Sequence, residues 1–189
     1  MHKLLTSFFV VMAVIFLIAP NCENRLRGES SLSLAYGKAV EKAIERSVLW
    51  ASDEQIRILV KVMEKKYGTD IIQISKKYFA SPQDIKAIAI VESLMDEDAE
   101  SNEGAIGLMG VKRTTGEEMG FHDIEHPINN LKAGTKYFIV MLNKFKDRDL
   151  ALAAYNLGPG EVENRLINGF NPETIDYIWK IRRVRHLVM

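Results

Sequence analysis

Residues 81–93 read Ser81-Pro82-Gln83-Asp84-Ile85-Lys86-Ala87-Ile88-Ala89-Ile90-Val91-Glu92-Ser93, and this stretch decides the fold. It opens with a serine that can cap a helix, a proline at the first helical position and an acid at the third. Its interior is apolar nearly all round: Ile85, Ala87, Ile88, Ala89, Ile90 and Val91. That pattern predicts a helix buried within a domain, not one lying on its surface. Glu92 breaks the pattern, a carboxylic acid at the end of an apolar helix. A glycine-rich stretch follows, Ser101-Asn102-Glu103-Gly104-Ala105-Ile106-Gly107-Leu108-Met109, and glycine lets backbone come close to a ligand. A third block is Ala153-Ala154-Tyr155-Asn156-Leu157-Gly158-Pro159-Gly160.

On either side of this core the helical period continues. Val40, Ile44 and Val48 recur at helical spacing over residues 39–50. A second helix is predicted from Ser52-Asp53-Glu54, with Ser52 as cap and the acids in the first turn. Ile56, Ile58, Leu59, Val62 and Met63 form its stripe, and Gly68 is its expected stop. A short third helix follows through Ile71, Ile72, Ile74 and Tyr78. After the buried helix, residues 94–110 read as irregular. Further helices are expected over 114–119, 128–145 and 149–156, and Pro172 opens a last one from Glu173 to about Val188. Sustained strand alternation is absent from the sequence. The class is therefore all-α, with room for one short hairpin near Gly107 to Val111.

Bulk composition narrows the function. The chain has 189 residues, 47% of them hydrophobic, which suits one compact domain with short extras. Lys+Arg and Asp+Glu each total 25, so bulk charge gives no sign of a nucleic-acid partner, and none is expected. The single cysteine, Cys22, cannot form an internal disulfide. His2, His122, His126 and His186 are scattered, and His122 and His126 fall in a loop before Pro127. Neither a metal site nor a cofactor is expected.

The first residues read as a targeting segment. His2-Lys3 is a basic start, Leu4 to Ala19 is almost wholly apolar, and Pro20-Asn21 ends the run. The run is short for a spanning helix of about 20 residues, so residues 1–22 read as a signal peptide or a membrane anchor. Cys22 adds a lipoprotein reading, against which the non-small Pro20-Asn21 pair stands. Each route puts the domain outside the cytoplasm, in the periplasm or elsewhere in the cell envelope.

Cleaving a glycosidic bond needs a protonated acid beside the bridging oxygen. A free glutamate has a pKa of about 4.3, which must rise for the group to stay protonated near neutral pH. Ile88 and Ala89, one turn before Glu92, desolvate it, and the negative end of the helix dipole disfavours its charge. By itself the helix fits a solvated helix-end glutamate at least as well.

The three blocks in order resemble the lytic transglycosylase family, whose lysozyme-like domain cuts bacterial peptidoglycan. Glu92-Ser93 resembles its catalytic Glu-Ser pair. Ala99, Ser101, Gly104, Ala105, Gly107, Leu108 and Met109 stand at the places of its Ala, Ser and Gly-Ala-x-Gly-Leu-Met positions. Thr115, Gly120, Asp123, Asn130, Gly134 and Tyr137 resemble the next block. Ala154-Tyr155-Asn156 and Gly158-Pro159-Gly160 resemble the third, and Glu173-Thr174 with Tyr177 the closing one. The resemblance spans residues 75 to 185. Together with the pattern of the earlier residues it divides the chain into a signal peptide or membrane anchor (1–22), a linker (23–35), an N-terminal helical extension (36–74) and a lytic transglycosylase-like domain (75–189).

The resemblance implies Glu92 as the single general acid and base. The substrate's N-acetyl group assists, and its 6-hydroxyl closes a 1,6-anhydro ring, unlike the two-carboxylate scheme of most glycosidases. It implies that Tyr155 orients Glu92, that Ser101 contacts substrate, and that Gly104 and Gly107 bring backbone donors to the sugar. Met109 would line the cleft, Asn156 would bind sugar or brace the loop, and Glu173 and Tyr177 would bound the cleft. Each has a plainer reading: a buried tyrosine, a loop-capping serine, turn glycines, a core methionine and scaffold residues. Asp96, Glu97, Asp98, Glu100 and Glu103 form an acidic loop that reads as solvated, or else supplies a second carboxylate for a hydrolytic muramidase. Where the family has glutamine after Leu-Met, this chain has Gly110. That departure keeps open a non-catalytic glycan-binding module. The expected partner is a peptidoglycan strand, with the membrane through residues 1–22 and a secretion or conjugation machine as further expected partners.

Overall fold

The computed structural model describes residues 50–172 and 175–189. The leader, the linker and the helix expected over 39–50, up to Leu49, lie outside the described residues, as does Glu173.

Helix α1 spans Asp53–Tyr78. Ser52 caps it reciprocally: its Oγ accepts from the Gln55 amide at 3.2 Å, and its own amide donates to Gln55 Oε1 at 2.8 Å. The helix does not stop at Gly68. Ile56, Val60, Met63, Tyr67, Ile71 and Ile74 form one continuous buried face through it. A mid-helix glycine costs about 1 kcal/mol. Burying each large aliphatic side chain returns roughly 1.5–3 kcal/mol, so the stripe outweighs the break. The two expected helices are thus one, and the division expected at 74/75 falls inside it; Ala51–Met189 is one compact unit.

Helix α2, Pro82–Ser93, has the expected proline at its start. Ser81 is the N-cap residue by backbone, but its hydroxyl donates to Gln83 Oε1 at 2.7 Å and does not cap the helix. Ile85, Ala87, Ile88, Ala89 and Ile90 are all essentially inaccessible, as an all-round apolar helix requires. The helix packs between α1 and α7. Leu94 and Met95 then turn left-handed, at φ 50° and 72°, which ends the helix at the Glu92-Ser93 pair. Ser93 pins that end, donating to the Ala89 carbonyl at 3.0 Å and accepting from the Met95 amide at 3.1 Å.

The loop that follows runs into a hairpin of two short antiparallel strands, β1 (Ala105–Ile106) and β2 (Val111–Lys112), which pair Ala105 with Lys112 and Ile106 with Val111. Helices α3 (Arg113–Glu118), α4 (Pro127–Phe145) and α5 (Arg148–Leu157) follow, close to the expected positions. Helix α6, Pro159–Leu166, was not expected: the proline of the Gly158-Pro159-Gly160 block is a helix start. The last helix, α7, spans Asp176–Leu187. Helix α5 packs on α4, α6 and α7, and α1 packs on α4. Among the described residues the class is mainly α with one small hairpin, as the sequence predicts.

Two buried polar residues tie the layers together. Asn130 of α4, fully inaccessible, donates to the carbonyls of Ile106 at 2.8 Å and Ile124 at 3.0 Å. It also accepts from the Met109 amide at 2.7 Å, so one side chain anchors the hairpin to the helical core. Asp84 of α2, 2% exposed, accepts from Arg148 Nη1 at 2.7 Å and Arg185 Nε at 2.6 Å, joining α2 to α5 and α7.

Candidate active site

Helix α2 delivers Glu92 to the floor of a cleft of about 460 Å³ between the hairpin, α4 and the end of α5. Burial pushes its carboxyl up to about 7, far above the usual carboxylate range. Two smaller influences act downward: a hydrogen bond from the Tyr177 hydroxyl to Oε1 at 2.8 Å, and the positive charge of Lys180. Tyr177 is 8% exposed, and its own phenol is held well above its ordinary pKa, chiefly by burial. It therefore keeps its proton and donates a hydrogen bond to Oε1.

This reverses the roles expected of the two tyrosines. Tyr155 does not hydrogen-bond Glu92: its hydroxyl donates to the Met109 carbonyl at 2.7 Å. Its ring packs 5.3 Å from that of Tyr137 and edge-on to Phe138. Tyr155 lines the cleft and fixes the hairpin turn, while Tyr177, expected at the cleft edge, holds the acid.

The hairpin residues divide in the same way. Ser101 borders the cleft, and its Oγ accepts from the amides of Glu103 at 3.3 Å and Ala105 at 3.1 Å, shaping the loop. Gly104 and Gly107 are not among the residues lining the cleft. Gly107 has φ +73°, and a Cβ there would lie 2.5 Å from Asn130 Nδ2, so glycine serves the packing of the turn on Asn130. Met109 is fully buried and accepts a long contact from Thr135 Oγ1 at 3.8 Å; it lies in the core and not on the cleft wall. Its side chain packs where Gly134 leaves room, since a Cβ on Gly134 would lie 2.6 Å from Met109 Cβ. Asn156 is exposed and borders the cleft at the end of α5. Gly110 borders the cleft beside Glu92, with φ +56°.

Of the five acids in the loop, Glu103 borders the cleft. Lys112 pairs with it at 2.9 Å and holds its carboxyl below the ordinary range, so Glu103 is a solvated anion of the rim. Glu97 is tied to Lys66 of α1. Tyr137, Lys112 and Thr115 also line the cleft and had no assigned role in the sequence. Lys112 follows an apolar residue in the hairpin, and strand alternation over Val111-Lys112 was the available signal for its outward face.

Residues 70–178 match the family described as the transglycosylase SLT domain. The membrane-bound lytic murein transglycosylase F of Cellvibrio japonicus is 37% identical over 102 residues, which are 48% of this chain and 21% of the relative. The membrane-bound lytic murein transglycosylase C of Haemophilus ducreyi is 28% identical over 167 residues, 75% of this chain and 46% of the relative. In structure, the 70 kDa soluble lytic transglycosylase of Escherichia coli aligns over 65% of this chain and 24% of its own, with TM-score 0.59 and 23% identity. An inactive glutamate-to-glutamine mutant of the lytic transglycosylase Slt of Pseudomonas aeruginosa aligns over 65% of this chain and 22% of its own, with TM-score 0.50 and 26% identity. The chain thus spans between a fifth and a half of the length of these relatives. By the extent of the match, more than half of its residues, the chain belongs to the transglycosylase SLT domain family.

Proposed function

We propose that this chain is a peptidoglycan lytic transglycosylase of the cell envelope, with Glu92 as its single general acid and base. The observation that carries the reading is a carboxyl on the floor of a cleft, raised by burial to about 7 and accepting a hydrogen bond from a buried phenol. Such a group keeps its proton near neutral pH and can give it up at a bridging oxygen. The relatives are named lytic murein transglycosylases, and one structural relative is inactive as a glutamate-to-glutamine mutant.

In this reading the glycan lies along the cleft, with the bond between N-acetylmuramic acid and N-acetylglucosamine over Glu92. Glu92 donates its proton to the bridging oxygen as the bond breaks, and the muramic acid N-acetyl oxygen closes on the anomeric carbon. The carboxylate left behind takes the proton of the 6-hydroxyl as the 6-oxygen attacks the same carbon and the bond from that carbon to the N-acetyl oxygen breaks, which restores the acetamido group. The product is a 1,6-anhydro end, and Glu92 is protonated again. Ser101, Asn156 and the rings of Tyr137 and Tyr155 supply the polar and stacking surface for the sugars.

The test is digestion of purified peptidoglycan by the full chain and by Glu92→Gln, with soluble products read by mass spectrometry. Anhydromuropeptides from the first and none from the second support the proposal. Reducing ends would make the chain a muramidase. A folded chain that binds peptidoglycan and releases nothing would make it a binding module.

A further inference from the structure

The seat of Glu92 has two sides. On one, Tyr177 donates to Oε1 at 2.8 Å. On the other lies bare backbone: a Cβ on Gly110 would stand 2.6 Å from Glu92 Oε2, 3.1 Å from its Cδ and 3.4 Å from its Cβ. The first distance is far inside van der Waals contact and the second is tight, so the carboxyl occupies space that a side chain at position 110 would fill. Gly110 is held in the turn, its amide donating to the Gly107 carbonyl at 3.1 Å with φ +56°. That turn is anchored in its turn by Asn130 and Tyr155 through Met109.

We propose that Gly110 is the positioning residue of the acid: its missing side chain is the seat of the Glu92 carboxyl, which a Cβ at that position would displace. Where the family pattern has a glutamine, this chain leaves the space beside Glu92 to the carboxyl. This rests on the functional reading above for its catalytic meaning, but the seat itself is a property of the fold.

Alanine at 110 carries two effects, the clash and the left-handed backbone, and a second glycine separates them. Gly169 has φ +74° with nothing within 4 Å of an added Cβ, so Gly169→Ala reports backbone strain without a clash. The experiment is a carboxyl-carbon NMR titration of the glutamate-labelled full chain, with Glu92 assigned by its loss in Glu92→Gln. In Gly110→Ala the displaced carboxyl is more solvated, so its titration midpoint falls from about 7, and Gly169→Ala leaves it in place. On peptidoglycan, Gly110→Ala lowers kcat about 10-fold or more with KM within about twofold, as a misplaced acid should.

A stability cycle covers the case in which Gly110→Ala folds poorly. Glu92→Asp withdraws the carboxyl from position 110. Adding Gly110→Ala to Glu92→Asp should therefore cost no more than Gly169→Ala does, whereas in the parent it costs more. An unmoved Glu92 titration in Gly110→Ala, or equal costs in both backgrounds, overturns the proposal. If the parent chain releases nothing from peptidoglycan, the functional reading fails while titration and cycle still decide the seat.

Discussion

Helix α2 carries two acids, one at each end, and the fold treats them oppositely. Asp84 is the more deeply buried, at 2% exposed, and accepts from two guanidiniums on two other helices. Glu92 is partly buried, and its hydrogen-bond donor is the neutral Tyr177, with Lys180 acting on it as a weaker charge. Burying a charge without a partner is expensive, so a carboxyl in that position keeps its proton instead. The pair at Asp84 is a clamp, and the seat at Glu92 is a proton store. What separates structure from chemistry here is the partner each acid is given.

The largest expected effect breaks the Glu92 side of this contrast. Glu92→Gln should lower the rate of peptidoglycan release by about 10³-fold, within the range for loss of a general acid, with an unchanged circular dichroism spectrum. Asp84→Ala should do the reverse. It leaves Arg148 and Arg185 facing each other without their anion, and breaking a buried pair costs roughly 3–5 kcal/mol. Both guanidiniums keep part of their exposure, so the expected loss is about 2–3 kcal/mol in a urea titration, with activity per folded molecule retained. Loss of activity in Asp84→Ala below its unfolding midpoint would mean that the two ends of α2 are not independent.

Asp84 and Glu92 also mark how much of the molecule was legible in the sequence. Ser81-Pro82 and the apolar run gave the start, length and burial of α2, because caps and periodicity are local. The same local reading made Asp84 the acid at the third helical position; its actual partners, Arg148 and Arg185, come from far along the chain, and nothing near Asp84 announces them. Gly68 misled for the related reason that a stripe of buried residues overrides a weak local break. Glu92 itself was legible as an acid out of place on an apolar helix. Its partner was not: Tyr155 and Tyr177 are both tyrosines on helices facing the same core, and only packing decides which hydroxyl reaches the carboxyl. Met109 and Gly107 sit in a block that the sequence could place beside the site, yet which side chains face the cleft depends on a turn held by the buried Asn130.

The next effect is one of pH and has a definite sign. The folded Glu92 binds its proton up to about pH 7, whereas the unfolded chain releases it near 4.3. Between these values the native state holds more protons than the unfolded one, so this group's contribution to stability is full below about pH 4 and falls as pH rises through 7. Glutamine has no such cost. Glu92→Gln, though inactive, should therefore match the parent near pH 4 and be more stable by about 1–2 kcal/mol at pH 8, discounted for partial exposure. Thermal melts across this range would show it. The parent's kcat should fall on the same limb, above about pH 7, as the acid loses its proton.

The smallest effect sharpens the contrast most. Tyr177→Phe keeps the buried ring and removes one hydrogen bond to Oε1, at a cost of about 1 kcal/mol. Because that bond lowers the proton affinity of Glu92, its loss should move the basic limb of the kcat profile to higher pH. The rate at the optimum should fall only a few-fold, roughly 3–10-fold, as the carboxyl is less well held. A residue that merely fills the core would lower stability and leave the limb where it was. Asp84 offers no parallel experiment, since its guanidinium partners cannot be neutralised by removing a single oxygen. If the limb stays in place in Tyr177→Phe, the phenol is scaffold, and burial with Lys180 governs the acid without it.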